Sequence, residues 1–220
     1  MSHYTLIIGN KNYSSWSLRP WLLMRHAGIA FTEVRIPLYT PESKQQIRQH
    51  SPSGKVPCLL DGGLAIWDSL AIAEYLAERH PELRLWPSDA AQRAHARSIG
   101  AEMHSGFANL RSAMSMNCRG RFPNHGRSDG VAGEIDRIER IWEECRARHA
   151  HAGPFLFGAF SIADAMYAPV VLRFRTYEVQ LDPVSRGYAD AILALPAMQQ
   201  WLKEAEAETE VIAALEPRPD

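Results

Sequence analysis

The sequence predicts two units, a small α/β domain over residues 1–80 and an all-helical domain over residues 91–220, joined by a linker at 81–90. Three observations lead there. Short apolar runs bounded by turn residues crowd the first unit, with hairpin chemistry at Asp61-Gly62-Gly63. Prolines then mark a break from His80-Pro81 to Pro87-Ser88-Asp89. Beyond it, apolar residues recur at helical spacing, as at Ile135, Ile138, Ile141/Trp142 and Cys145.

Each element follows from its residues. Tyr4 to Ile8 is a buried-strand pattern ending at Gly9-Asn10, followed by a polar loop from Asn10 to Ser17. Leu18 to Ala27 reads as a helix, with Pro20 tolerated in its first turn and Gly28 as its stop. Phe31 to Leu38 alternates as a second strand, so the two strands should be parallel with a right-handed crossover. Thr40 to Gln49 is a polar, irregular helix. Val56 to Leu60 and Leu64 to Trp67 form the two arms of the hairpin, and a helix with Leu70, Ala73 and Leu76/Ala77 on one face follows Asp68-Ser69. This order, β-α-β-α-β-β-α, is a thioredoxin-like layout.

In the helical unit, Ala90 to Met114 is one long helix weakly broken by Gly100 and Gly106, and Cys118 to Gly130 is a loop. Gly133 to His149 is amphipathic. Ser161-Ile162-Ala163-Asp164 is a capping box with Asp in place of Glu, opening an apolar core helix through Leu172. Arg173, Arg175 and Thr176 end that helix, where cations complement the dipole. Tyr188 to Leu195 and Ala197 to Glu208 complete the bundle, and residues 216–220 are expected to fray.

Bulk properties narrow the function. Lys+Arg 24 against Asp+Glu 25 gives a net charge of −1, so no long-range field draws the chain to nucleic acid or lipid. No apolar run approaches the roughly 20 residues of a membrane span, and the first residues lack a signal-peptide pattern. Cys58, Cys118 and Cys145 are odd in number and scattered; they suit a reducing cytoplasm and neither a disulfide framework nor a metal site.

Two places carry chemistry. Pro57 opens a strand where its missing N–H is not needed; a cis bond there would turn the backbone of Val56 outward. Asp68 and Ser69 stand where a helix begins, a position that suits either a plain cap or a small anion. The run Gly54-Lys55-Val56-Pro57, with Asp68-Ser69-x-Ala71-Ile72-x-x-Tyr75-Leu76 at this spacing, resembles the glutathione S-transferase family. The resemblance covers nearly the whole chain and implies that family's architecture: a thioredoxin-like α/β domain, then a helical bundle. It implies glutathione as co-substrate, with the Val56 backbone on its cysteinyl part and the Asp68-Ser69 pair on its γ-glutamyl end. Asp68 stands where Glu or Gln is commoner. Lys55 is a candidate for the glycyl carboxylate or an ordinary solvated lysine.

Ser14-Ser15-Trp16-Ser17-Leu18-Arg19 also resembles the SSCSWR motif of zeta-class members, which include maleylacetoacetate isomerases. Carried over, Ser14 is the hydroxyl that stabilises the thiolate and Ser15 its neighbour. Alone, the two serines are equally caps. The motif's Cys is Trp16 here and its Trp is Leu18, so a protein thiol is missing from this loop. Tyr13 is the rival donor, because other classes use a tyrosine near this place. A thiol transferase needs such a donor, since a free thiol is only about 3% ionised at neutral pH.

For the second substrate, His104, Phe107/Ala108, Arg111 and Met114/Ser115 share a face at helical spacing, and Trp16 sits in the first loop. Trp16, His104 and Arg111 are therefore expected to line a pocket for an anionic, partly apolar electrophile. Surface roles for His104 and Arg111 remain the alternative; the zeta resemblance implies an arginine for the anion where Thr176 stands, with Arg173 or Arg175 to compensate. The expectation is a cytoplasmic, homodimeric glutathione transferase of detoxification type, with no metal. Two alternatives stand beside it: a zeta-like isomerase, and a non-catalytic binding or scaffold protein.

Overall fold

The computed structural model describes residues 4–216. The first unit holds strands β1 (Tyr4–Ile8), β2 (Phe31–Arg35), β3 (Cys58–Asp61) and β4 (Leu64–Trp67), with helices α1 (Ser15–His26), α2 (Ser43–Arg48) and α3 (Ser69–Arg79). The sheet order is β2-β1-β3-β4. β1 runs parallel to β2 with Tyr4 opposite Phe31, while the β1–β3 and β3–β4 pairs are antiparallel. Gly62, at φ +58, makes the hairpin turn in the left-handed region that glycine enters freely.

The helical unit comprises α4 (Ala90–Ser105), α5 (Ala108–Ala113), α6 (Asp129–His149), α7 (Ile162–Thr176), α8 (Pro183–Leu193) and α9 (Pro196–Ala207). α7 is buried on nearly every side, as its composition requires. One core runs through both units, from Leu6, Ile8 and Leu59 in the sheet through Leu18, Trp21 and Leu22 of α1 to Met166, Tyr167 and Val170 of α7.

Several boundaries differ from the sequence reading. α1 begins at Ser15, not Leu18, because the Ser14 hydroxyl caps the Ser17 N–H at 3.4 Å; Pro20 therefore lies inside the helix. β2 stops at Arg35, and the Leu38 N–H turns to the Asn10 side-chain carbonyl at 2.8 Å. β3 starts at Cys58, after the Val56-Pro57 bond, which is cis as expected. The single helix read from Ala90 to Met114 is two. Gly106 ends the first, where an added Cβ would lie 2.8 Å from the Glu102 carbonyl, and Phe107 turns left-handed at φ +59. α8 begins five residues earlier than Tyr188, with Pro183 at its first turn and Asp182 capping Val184 and Ser185.

The apolar stripes of α4 and α6 are buried within this one chain, through Ile99 and Met103 and through Ile138, Trp142 and Cys145. Those stripes are therefore not the surface on which the homodimer expected from the sequence would form. Of the expected frayed tail, Glu216 is held by hydrogen bonds, and residues 217–220 lie outside the described residues.

The capping box forms as read. Asp164 Oδ2 accepts from Ser161 N at 2.8 Å and Ser161 Oγ at 2.9 Å, and its Oδ1 accepts from Leu156 N at 3.0 Å. Burial pushes this carboxyl up to about 6, against three donors that favour its ionised form. Ser161→Ala is expected to cost about 1–2 kcal/mol and lower the Tm by about 2–8 °C. Asp164→Ala orphans all three buried donors and should cost about 3 kcal/mol or more. Thermal unfolding of both variants checks this; a Tm for Asp164→Ala no lower than that of Ser161→Ala would contradict it.

Candidate functional site

The loop between β1 and α1 forms the floor of a cleft between the two units. Read as a polar loop, it is almost wholly buried, and most of its polar groups are paired inside the protein, Asn10 Nδ2 being an exception. Gly9 N donates to Ser17 Oγ at 3.1 Å, and Asn12 Nδ2 donates to Asn117 Oδ1 at 3.1 Å. Lys11 Nζ pairs with Glu33 at 2.8 Å and with Glu204, and lies 5.0 Å from the Trp21 ring centre. Glu208 accepts from the backbone N–H groups of Lys11 and Asn12 at 2.7 and 3.0 Å. A loop tied this fully presents its last residues, Tyr13 to Trp16, as a fixed surface.

Tyr13, Ser14, Ser15, Trp16, Lys55 and Val56 line one cavity of about 380 Å³ together with Arg111 and Arg173. Ser14 Oγ donates to Ser17 Oγ at 2.7 Å, so its proton is engaged. Ser15 Oγ accepts from Arg173 Nη2 at 3.3 Å, and no acceptor for its own proton occurs among the described residues. The Tyr13 hydroxyl donates to the Glu216 carboxylate and receives Arg119 Nη2 at 3.4 Å. Burial and the Glu216 contact raise its pKa above the ordinary tyrosine value.

A second cavity of about 430 Å³ adjoins the first, sharing Trp16, Lys55 and Val56 and reaching Pro57, Trp67, Asp68 and Ser69. Asp68 is held at φ +77 and ψ 133, a positive-φ conformation outside the left-handed helical well that residues with a Cβ rarely adopt. Strain of this kind persists where surrounding structure enforces it, often at functional positions. Its Oδ1 accepts from Leu70 N and Ala71 N at 2.9 and 3.3 Å. An anion at this helix start therefore meets the Ser69 hydroxyl rather than those two N–H groups. Behind Ser69 lies Arg19, whose Nη1 is 3.5 Å from Ser69 Oγ and whose Nε donates to the Met166 carbonyl at 3.2 Å. Arg19 Nη2 is buried with no partner among the described residues.

Trp16 lines both cavities and packs against two cations. The Arg19 and Arg111 guanidinium carbons lie 4.4 and 4.9 Å from its ring centre. The His104 ring meets it edge-on at 5.3 Å, and His104 Nε2 is 3.1 Å from Asp68 Oδ2. Arg111 folds back on the end of α4, with Nε on the Gly106 carbonyl at 2.8 Å and Nη2 on the Met103 and His104 carbonyls. Arg173 Nη1 donates to the Met114 carbonyl. Burial, together with Arg111, lowers Arg173 to about 10. Burial also lowers Arg19, with Arg111 and Arg173 adding to the effect, and Asp68 is the carboxylate that opposes it.

Every site residue named from the sequence thus falls on this cleft or, like His104, directly behind its wall. The sequence reading matched Arg19 to the zeta motif without giving it a place in the site, and took Arg173 as a helix-end cation or, with Arg175, a substitute for an arginine at 176. The signal was present: both arginines are flanked by apolar residues on largely buried helices, where a cation needs partners. Thr176, where a further arginine was sought, instead donates to the Asn117 and Leu172 carbonyls at 2.7 and 2.8 Å. The three cysteines stand apart from this chemistry; all are buried, and burial pushes Cys118 and Cys145 up to about 12.

Comparison with known proteins agrees with this geometry. Residues 13–79 match the model of the glutathione S-transferase N-terminal domain, and residues 126–204 match that of the C-terminal domain. The chain is 30% identical to the maleylacetoacetate isomerase of Rattus norvegicus over 192 residues, 84% of this chain and 85% of that protein. It is 29% identical to a probable maleylacetoacetate isomerase of Caenorhabditis elegans over 174 residues, 77% and 78% of the two chains. In fold it is similar to a glutathione transferase homologue from Burkholderia solved with bound glutathione, at a TM-score of 0.72, 22% identity and coverage of 94% and 100%. The chain belongs to the glutathione S-transferase family.

Proposed function

We propose that this protein is a glutathione transferase that uses the glutathione thiolate to attack a small, anionic, partly apolar electrophile. The observation that carries the reading is the convergence of Ser14, Ser15, Val56, Arg111 and Arg173 on one cavity that adjoins the Asp68–Ser69 cavity. Glutathione spans the two. Its γ-glutamyl carboxylate meets Ser69 with Arg19 behind, its ammonium meets Asp68, its cysteinyl backbone lies on Val56, and Lys55 faces its glycyl end.

Ser14 donates to the sulfur after its hydroxyl rotates away from Ser17, a motion that hydroxyls make freely. A donor to the charged form lowers the thiol pKa. Ser15 as the principal donor is the second reading, favoured by its uncommitted proton and by Arg173 on its oxygen. The electrophile lies beyond the sulfur, against Trp16, Tyr39, Met116 and Leu215, with Arg111 and Arg173 opposite its anionic groups. The thiolate lone pair forms the new C–S bond, and the displaced electron pair leaves with a group or is taken up with a proton. The isomerase alternative uses the same adduct reversibly: addition, rotation about the former double bond, and expulsion of the thiolate. Its support is the name borne by the relatives; against it stands Trp16 in place of the motif's Cys.

Ser14→Ala should raise the pKa of bound glutathione and lower turnover 10- to 100-fold, about 1.4–2.7 kcal/mol, with a smaller loss of affinity. Near-ultraviolet titration of the thiolate in wild type, Ser14→Ala, Ser15→Ala and Tyr13→Phe decides the donor. A shift in Tyr13→Phe alone would sink the serine assignment. No shift anywhere, with no turnover of generic electrophiles, would favour a scaffold.

Ser69→Ala should weaken glutathione by about 1.5–3 kcal/mol, as for a hydrogen bond to a charged group. Calorimetry giving the wild-type affinity in a folded variant refutes the placement. The family also motivates a symmetric dimer of this 24.7 kDa chain. Light scattering at micromolar concentration should return about twice the chain mass, and the monomer mass would overturn it.

A further inference from the structure

His104, expected from the sequence to line the second-substrate pocket, is not among the residues lining either cavity, yet it contacts residues of both. Its Nε2 reaches Asp68 Oδ2 at 3.1 Å, its ring packs on the edge of Trp16, and its carbonyl accepts from Arg111 Nη2 at 3.3 Å. Asp68 Oδ1 is already taken by Leu70 N and Ala71 N. Oδ2 is therefore the oxygen left for a ligand, and His104 is the side chain that orients it. The charged groups facing His104 are Asp68 at the start of α3, Arg19 on α1 and Arg111 on α5.

We propose that His104 is a positioning residue: neutral, it sets Asp68 Oδ2 for the ammonium end of glutathione; protonated, it competes with that ammonium for the same carboxylate. This rests on the glutathione reading above. The neutral ring must carry its proton on Nε2, because an ionised carboxylate only accepts. Nδ1 is buried without a partner among the described residues. Oδ2 has lone pairs for both His104 and an ammonium, so the neutral histidine and the ligand coexist.

The sign of the pH effect follows from the surroundings. Burial comes first among the effects that hold His104 below its ordinary value; Arg19 and Arg111 act in the same direction, and Asp68 opposes them. At neutral pH the ring is uncharged. As pH falls through its depressed midpoint, a positive charge appears beside Asp68 and glutathione affinity drops. By linkage, bound glutathione lowers the His104 midpoint further. Between about pH 7 and pH 5 free glutathione does not titrate, since its carboxyls ionise near 3.5 and its amine and thiol near 8 and above; the bound thiol, whose pKa the site lowers, is removed from the comparison by S-methylglutathione, which has no thiol proton.

Calorimetry of S-methylglutathione with the 220-residue protein at about pH 7 and pH 5 tests this. The wild type should weaken up to about fivefold between the two, the range of a partly exposed charge pair. His104→Ala should lose affinity already at pH 7 and show no further acid weakening. His104→Gln, a neutral donor that cannot gain a proton, should regain most of the pH 7 affinity lost in His104→Ala and remain flat. A deaminated glutathione analogue should show no acid weakening even with the wild type. The imidazole signals of His104, followed by NMR without ligand, should titrate lower in Asp68→Asn than in wild type. Identical pH slopes in all three proteins, an equal slope for the analogue, or an unmoved midpoint in Asp68→Asn would each overturn the proposal. Absence of glutathione binding by the wild type at pH 7 would instead overturn the glutathione reading and this inference with it.

Discussion

The structure depends on the burial of α1 on two opposite sides. Leu18, Trp21, Leu22, Leu23 and Met24 are all nearly inaccessible to solvent, packed into the core that joins the sheet to α7. A helix fixed from both sides cannot shift without opening both units. Its N-terminal turn, with Ser14, Ser15 and Trp16, is thereby held at the boundary of the two domains. Arg19, one turn further on, fastens the join with its bond to the Met166 carbonyl. The cleft lies where it does because this helix belongs equally to each unit.

Charge at the cleft follows from that packing. Arg19, Arg111 and Arg173 are drawn close together, with Asp68 as the carboxylate near Arg19. Burying like charges together is costly unless the groups are hydrogen-bonded, and here backbone carbonyls of Met166, Gly106 and Met114 serve as acceptors. Carbonyls satisfy the donors without cancelling the charge. The cavity therefore keeps a positive potential in a confined volume, where an anionic ligand gains most. The Trp16 ring lies within cation–π range of two of these cations and eases their burial.

The segment after α9 closes the arrangement. Arg119 holds the carbonyls of Glu208 and Glu210, Ser115 donates to the Leu215 carbonyl at 2.6 Å, and Asn117 donates to Glu216 at 2.9 Å. The Tyr13 hydroxyl is consumed in the same set of bonds. A phenol committed to a carboxylate is a poorer donor to a ligand thiolate than the Ser15 hydroxyl with its uncommitted proton, or than Ser14, which gives up only a neutral Ser17 acceptor, so the choice between Tyr13 and the serines turns on a contact spanning most of the chain. Nothing local to residues 13–15 announces it.

What the sequence by itself determined was local. The capping box at Ser161 and Asp164, the cis bond at Val56-Pro57, the hairpin at Gly62 and the helix start at Asp68 each arise from residues a few positions apart, whose geometry is set by short-range sterics and hydrogen bonds. The motifs around Ser14, Val56 and Ser69 placed the cleft for the same reason. Tertiary structure decided the rest: the polar loop at 10–12 is buried because distant Glu204, Glu208 and Asn117 satisfy it, and the helix read through Gly106 breaks where Phe107 turns. It also decided that Arg19 is buried behind Ser69, that Arg173 lines a cavity, and that His104 meets Asp68. These outcomes depend on side chains tens to hundreds of residues apart, and only the closed core brings such groups within hydrogen-bonding distance.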